Sequence, residues 1–498
     1  MDTFLKMLAA FTVFGAALAI AAIAFPGAIP PILLMAFAIA GFLLVPTYAI
    51  KKFTRFETFY IISILKTRRL AQFIEGISKP KLWDLLADLG LIIGFGTLAV
   101  DYKFGRKKSM AKRIAIDLAS AALLFAVFFV LFGTFFASKN PALFPLLALF
   151  SLGFAFGGLM LFTIVSLAWQ AVDIFAKLLE GKMPCPGIAP IIPGVQIPNV
   201  PAFLTPPIYV WGAFLLILAV HEFSHGALMR RAKVKIKSVG ILLAGLLPIG
   251  AFVEPDEKQL KKRRAVEQLR IFAIGPASNI YSMAIFILVF FAVAMAVSPV
   301  LSPKIEAMEK NIDINSIVVT NVLEDYDLCG NTIDAPAYGI VKEGWVIRKF
   351  NGVDLNTLYD FRVASLLQDQ NVSMVFETET GELAEKTIEK NSRGEIGIET
   401  ELSYVEGKEP TQEYLGLATA LNSISTFFNW LLLLSFALAM INFLPMDPFD
   451  GGKMAKIVML PYFSFLKMSR KETEKFIGRL MLWIVLGLLL LNALPLFL

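Results

Sequence analysis

The chain has 498 residues, of which 57% are hydrophobic and only 17% charged. With a mean hydropathy of +0.69, this excludes an ordinary soluble enzyme and calls for several apolar stretches of bilayer length. The formal charge of +6 hides a split, since residues 302–410 hold 21 acids against 10 bases and the remainder 36 bases against 19 acids, the bases lying in short loops between apolar runs as in a membrane protein rather than a nucleic-acid-binding one.

Residues 7–25 and 30–50 are each long and apolar enough to cross a hydrocarbon core. The first opens on the barely basic MDTFLK and is expected to be an anchor rather than a signal peptide. Bases scattered through 51–81 argue for the cytoplasmic side. Of the next apolar runs, 86–100 is short and flanked by bases on both sides, so a re-entrant segment is expected there; 114–136 has spanning length. The run 141–178 is too long for one untilted span, and Gly157-Gly158 is the expected bend. Residues 184–207 are too rich in proline for a regular helix and read as an extended loop leading into a span at 208–229.

A basic loop comes next (Arg230, Arg231, Lys233, Lys235, Lys237), and in it 238–253 is apolar but too short and too interrupted by Gly and Pro to span. Another span is expected at 271–298. The acidic insert at 302–410 alternates apolar and polar residues, as half-buried strands do. The last spans are expected at 413–445 and 476–498, with a further basic cluster between them. The positive-inside rule puts 230–264 and 453–475 in the cytoplasm and the acidic insert outside. Cys185 and Cys329 are too few for a disulfide framework, though a single bridge between them is open if both face an oxidising side.

The sharpest chemical signal is HEFSH at 221–225. On a helix His221 and His225 share one face and can grip one zinc ion, while Glu222 is placed to act as a general base. These are the only two histidines in the chain, and an ionisable Glu222 inside an apolar span is costly without a task or a partner. The rise from His221 to Arg230 is about 14 Å, so the site is expected inside the bilayer near its cytoplasmic surface. A third ligand is needed, and the segment NFLPMDPFDGG (442–452) offers Asp450, followed by Gly451-Gly452, with Asp447 as the rival.

HEFSH in a membrane helix, the downstream N-x-x-P-x-x-P-x-D-G-G pattern and the intervening domain resemble the site-2 protease family of intramembrane zinc metalloproteases. PGVQIP, LLPIGAFVEPDE and LRIFAIGPASN (269–279) are similar to family segments as well, particularly those of the archaeal and eukaryotic branch. Gly250-Ala251 departs from the Gly-Gly common in the family, and the first 180 residues offer little to match. The resemblance implies Asp450 as third ligand, Glu222 as the catalytic residue, and oxyanion or substrate-binding roles for Asn442 and Asn279. A purely structural interhelical role for the asparagines is equally open. In the insert, a turn at Glu343-Gly344, a strand WVIRKF and a turn at Asn351-Gly352 resemble a PDZ-domain signature.

The expected fold is a polytopic α-helical membrane protein with a membrane-embedded metalloprotease core and an inserted PDZ-like α+β extracytoplasmic domain. The expected divisions are an N-terminal transmembrane region at 1–182, the first part of the core at 183–300, the PDZ-like domain at 301–410 and the second part of the core at 411–498. The expected cofactor is one Zn2+, and the expected partners are a transmembrane helix of a substrate protein, the lipid bilayer and a peptide ligand of the PDZ-like domain. The expected location is the cell membrane, with the active site nearer the cytoplasm. A zinc-binding transporter fits less well, because few other acids lie in the spans. A non-catalytic scaffold fits less well, because Glu222 is intact.

Overall fold

The computed structural model describes residue 41 and residues 43–498, apart from 53–56, 60–61, 67–68, 137–142, 198–199, 202–203, 246, 368–369 and 392–393. The expected span at 7–25 and most of that at 30–50 lie outside the described residues. In chain order the elements begin with β1 (Glu57–Phe59), β2 (Ile62–Lys66), α1 (Arg69–Ile77), α2 (Leu82–Val100), α3 (Met110–Phe136), α4 (Phe144–Leu179) and α5 (Trp211–Arg231). Then come β3 (Ile236–Ala244), β4 (Leu247–Pro255), α6 (Ala265–Glu309), β5 (Ile314–Val322), β6 (Asp325–Leu328), β7 (Asn331–Asp334), β8 (Val346–Phe350) and β9 (Val353–Asp354). The rest are α7 (Leu358–Leu366), β10 (Asn371–Glu377), β11 (Leu383–Glu389), β12 (Ile398–Tyr404), α8 (Gln412–Phe443), α9 (Asp450–Val458) and α10 (Arg470–Ala493). Among the described residues, seven helices are long and apolar enough to cross a membrane.

The chain forms two compact units. The first takes in the described part of Met1–Ser166 together with Tyr209–Ala284 and Leu431–Leu488. Its sheet has the antiparallel order β1-β2-β3-β4. The apolar segment at 238–253 is its β3–β4 hairpin, turning at Gly245 with φ 59° and leaving β4 at the edge. The stretch 51–81, expected on the cytoplasmic side, adds a strand that the sequence reading did not name, since Ile62–Lys66 pairs with Gly240–Ala244. The bases around that stretch obscured its β-branched and aromatic residues, which favour a pleated surface.

The stretch 86–100, expected to be re-entrant, folds back on itself: α2 breaks at Gly96 (φ 54°), and Lys103 beyond the break pairs with Asp88 before it. Past Gly96 the helix leads into a π-helical turn at Asp101–Gly105. Its charges are tolerable because each has a partner: Asp84 meets Arg231, Asp88 meets Arg270 and Lys103, and Asp101 meets Arg113. Helix α4 breaks at Gly158 (φ 60°), where the bend is expected, and α2 breaks at Gly96 (φ 54°). A Cβ on Gly158 would fall 2.4 Å from Ile93 O, so the two helices cross backbone to backbone and only glycine fits. Around this crossing Leu91, Phe95, Leu269, Ile274 and Phe443 form a buried core.

The second unit takes in Leu167–Ile208, Ile285–Trp430 and Leu489–Leu498. Its main sheet has the order β11-β10-β8-β5-β12, with β9 paired to β8. Along β10 the side chains of Val372, Met374 and Phe376 are buried in alternation, the period of a strand with one face on a core. Asn351 (φ 49°) and Gly352 (φ 78°) make the tight β8–β9 turn that an Asn-Gly pair favours. Cys185 and Cys329 are disulfide-bonded across 144 residues, with a Cα–Cα distance of 4.5 Å. The bridge ties the β6–β7 turn to the proline-rich loop. Cys185→Ser is expected to lower the stability of this unit by about 2–5 kcal/mol, read as a fall in its unfolding temperature under non-reducing conditions.

Candidate active site

Helix α5 places His221 and His225 one turn apart, and both are buried. Asp450 comes from the first turn of α9, where a helix N-terminus favours a carboxylate. The three ligand atoms lie within 4.8 Å of one another. His225 Nε2 is 3.1 Å from His221 Nε2 and 2.9 Å from Asp450 Oδ2, and His221 Nε2 is 3.4 Å from the same oxygen. The other Asp450 oxygen faces Lys453 Nζ at 3.3 Å.

The donor set passes a chemical test for a metal. His225 Nδ1 donates to Ile271 O at 2.6 Å, which leaves a lone pair on Nε2. His221 Nδ1 lies 3.1 Å from the Asn279 side-chain amide, and the Asn279 carboxamide oxygen is buried with no other partner. Oxygen and nitrogen of such an amide are interchangeable by rotation. With the oxygen turned to His221, Nδ1 donates to it, and this Nε2 also carries a lone pair. Two lone pairs and a carboxylate facing each other repel unless a cation joins them. Glu222 stands beside the group, outside the ligand set, and accepts a hydrogen bond from Val253 N–H at 2.9 Å.

Residues 209–488 match the family model of peptidase family M50. The chain belongs to that family, the site-2 proteases. An uncharacterized protein of Methanocaldococcus jannaschii is 27% identical over 285 residues, which are 56% of this chain and 63% of the relative. The chain thus covers less than two thirds of that relative. Family membership and seven apolar helices together make this a multi-pass membrane protein.

Within this M50 core the structure brings Asp450, not Asp447, to the histidine pair. Asp447 is exposed and pairs with Lys456. The Gly pair has the close approach expected of it, since a Cβ on Gly451 would lie 2.2 Å from Phe443 O and one on Gly452 2.4 Å from Met446 C. Asn442 donates to Leu438 O at 3.0 Å, one turn back in its own helix. Asn279 stands behind His221 rather than open to a ligand. Leucine there is expected to weaken metal affinity roughly 10–100-fold, measured by competition with a chelating dye.

Sequence reasoning missed Gly275, whose position in α6 would put a Cβ 2.2 Å from His225 Nε2 and 2.8 Å from His221 Nε2. It also missed the clamp beneath the site. Arg231, at the end of α5, is held by Asp84, and Arg270, next to Ile271, is held by Asp88 at 2.6 Å. Asp84 and Asp88, four residues apart in an apolar helix, were the available signal.

Proposed function

We propose that this M50 protein is a zinc endopeptidase that cleaves peptide bonds within the transmembrane segments of other membrane proteins. The observation that supports it most is the convergence of two histidine lone pairs, on a helix of membrane-spanning length that also carries Glu222, with the carboxylate of Asp450. Two imidazoles and one carboxylate suit zinc, which keeps a further position open in its hydrolases. Bound zinc supplies Lewis acidity at the scissile carbonyl and lowers the pKa of water.

Glu222 accepts the proton as water attacks the carbonyl carbon, and returns it to the amine nitrogen as the C–N bond breaks. His225, fixed by Ile271 O, and His221, fixed by Asn279, hold their rings without rearrangement. Among the described residues β4 is paired on one side only, and the Val253 N–H directed at Glu222 belongs to its unpaired edge. A locally unwound substrate segment adding to that edge runs past Glu222 in extended form. Asn442, eight residues ahead of Asp450, is the residue assigned to contact that segment.

The acidic insert serves as a PDZ-like peptide-binding domain, supported by a cleft lined by Tyr326, Phe350, Phe361, Ile396 and Ile398 beside edge strand β12. The Cys185–Cys329 bridge supports its placement on an oxidising, extracytoplasmic side of the cell membrane. The test is cleavage of a single-span reporter in proteoliposomes. Cleavage is expected to stop on treatment with a zinc chelator and to resume on adding zinc; persistence under chelation would count against a metalloprotease.

A further inference from the structure

A second polar site adjoins the metal loop without belonging to it. Between α9 and the start of α10 is a cleft of about 400 Å³ lined by Asp447, Lys456, Lys471, Glu474, Lys475, Gly478, Arg479 and Leu482. Lys471, Lys475 and Arg479 recur every fourth residue, so their charges lie along one stripe of α10 over about 12 Å. Like charges at this spacing repel. The nearby acids bond elsewhere: Asp447 to Lys456, Glu474 to Arg470 and Glu472 to the amide of Ser469, although Glu472 also feels the charge of Lys475. Among the described residues, these three cations have no ion pair. The floor of the cleft is Gly478, where a Cβ would fall 2.9 Å from Lys456 Cε, so the missing side chain is what admits Lys456 across the helix.

We propose that this cleft binds the phosphate of an anionic phospholipid headgroup. Four basic side chains against two carboxylates favour an anion, and concavity gives it several cations at once. The stripe opens a helix whose apolar span, Arg470–Phe497, begins at the same point. Just beyond it, Trp483 and Ile484 are exposed, giving acyl chains an apolar wall directly under the headgroup. A soluble phosphate would use the cations and leave that wall idle. The anion shares Lys456 with Asp447, three residues before Asp450, so the lipid holds the loop that carries the third ligand. Binding itself does not depend on the protease reading.

The test uses the full-length protein in vesicles of phosphatidylcholine doped with spin-labelled phosphatidylglycerol or spin-labelled phosphatidylcholine. The protein is expected to immobilise the anionic label preferentially, and replacing each of Lys471, Lys475 and Arg479 by Gln is expected to cut that preference by up to about fivefold. Lys261→Gln with Lys262→Gln, in a separate basic loop, is the control and is expected to change nothing. A second arm measures the unfolding temperature in detergent, which is expected to rise with added phosphatidylglycerol and not with inorganic phosphate. A preference unaltered in all three single variants, or lost equally in the control pair, would overturn the site. An equal rise with inorganic phosphate would overturn the lipid assignment.

Discussion

Glu222→Gln is expected to lower cleavage by about 10²–10⁴-fold, the range for loss of a general base, while metal content stays at the wild-type level. The two halves of this result come from separate features. Glu222 is adjacent in sequence to His221 but lies outside the convergent ligand group, so removing its charge leaves the two imidazoles and Asp450 in place. Its hydrogen-bond donor, Val253 N–H, can donate to the glutamine oxygen equally well, so the β4 edge is undisturbed. Metal analysis of the purified variant, run beside the reporter assay, separates lost chemistry from a lost site. Undiminished cleavage would remove Glu222 from the mechanism.

Gly275→Ala is expected to be as damaging by the opposite route, emptying the metal site while leaving Glu222 intact. The added methyl would stand 2.2 Å from His225 Nε2 and 2.5 Å from its Cε1, closer than any real contact, and the colliding ring is already pinned by Ile271 O. Metal affinity is expected to fall by more than the roughly 10–100-fold seen when an outer partner of a ligand is lost. Gly487→Ala in α10 is the matched control. A Cβ there meets nothing within 4 Å, so the change is expected to keep full metal content and to favour the helix by up to about 1 kcal/mol. Full metal occupancy in Gly275→Ala would contradict the approach of α6 to the histidine pair.

The parts of this site that were legible in the sequence are those fixed by local geometry. A separation of four residues puts His221 and His225 on one helical face whatever surrounds them. Asp450 stood out because two glycines come directly after it, and the structure shows why they are needed: Gly451 packs on the carbonyls of Phe443 and Leu444. The alternation in β10 and the Asn351-Gly352 turn were readable for the same reason. What was not legible depends on residues far apart in the chain. Strand β2 becomes a strand by pairing with β3, nearly two hundred residues later, and nothing between 57 and 66 announces that partner. The acids Asp84 and Asp88 of α2 are held by Arg231 and Arg270, more than a hundred residues later, and no local pattern names those partners. Gly275 reads as an ordinary helical glycine until the histidines are placed against it. For Asn279 the sequence left a role toward substrate and an interhelical role equally open, and its neighbour is the back of His221.

Intramembrane cleavage is tested most directly by locating the bond that is cut. Purified protein and a single-span substrate are reconstituted together, and both fragments are mapped by mass spectrometry, with the Glu222→Gln variant in parallel. The expected result is a cut inside the apolar span, on the side nearer the cytoplasm, that requires zinc and is absent in the variant. A cut confined to residues outside the span, or the same cut made by the variant, would contradict an intramembrane zinc protease with Glu222 as its base.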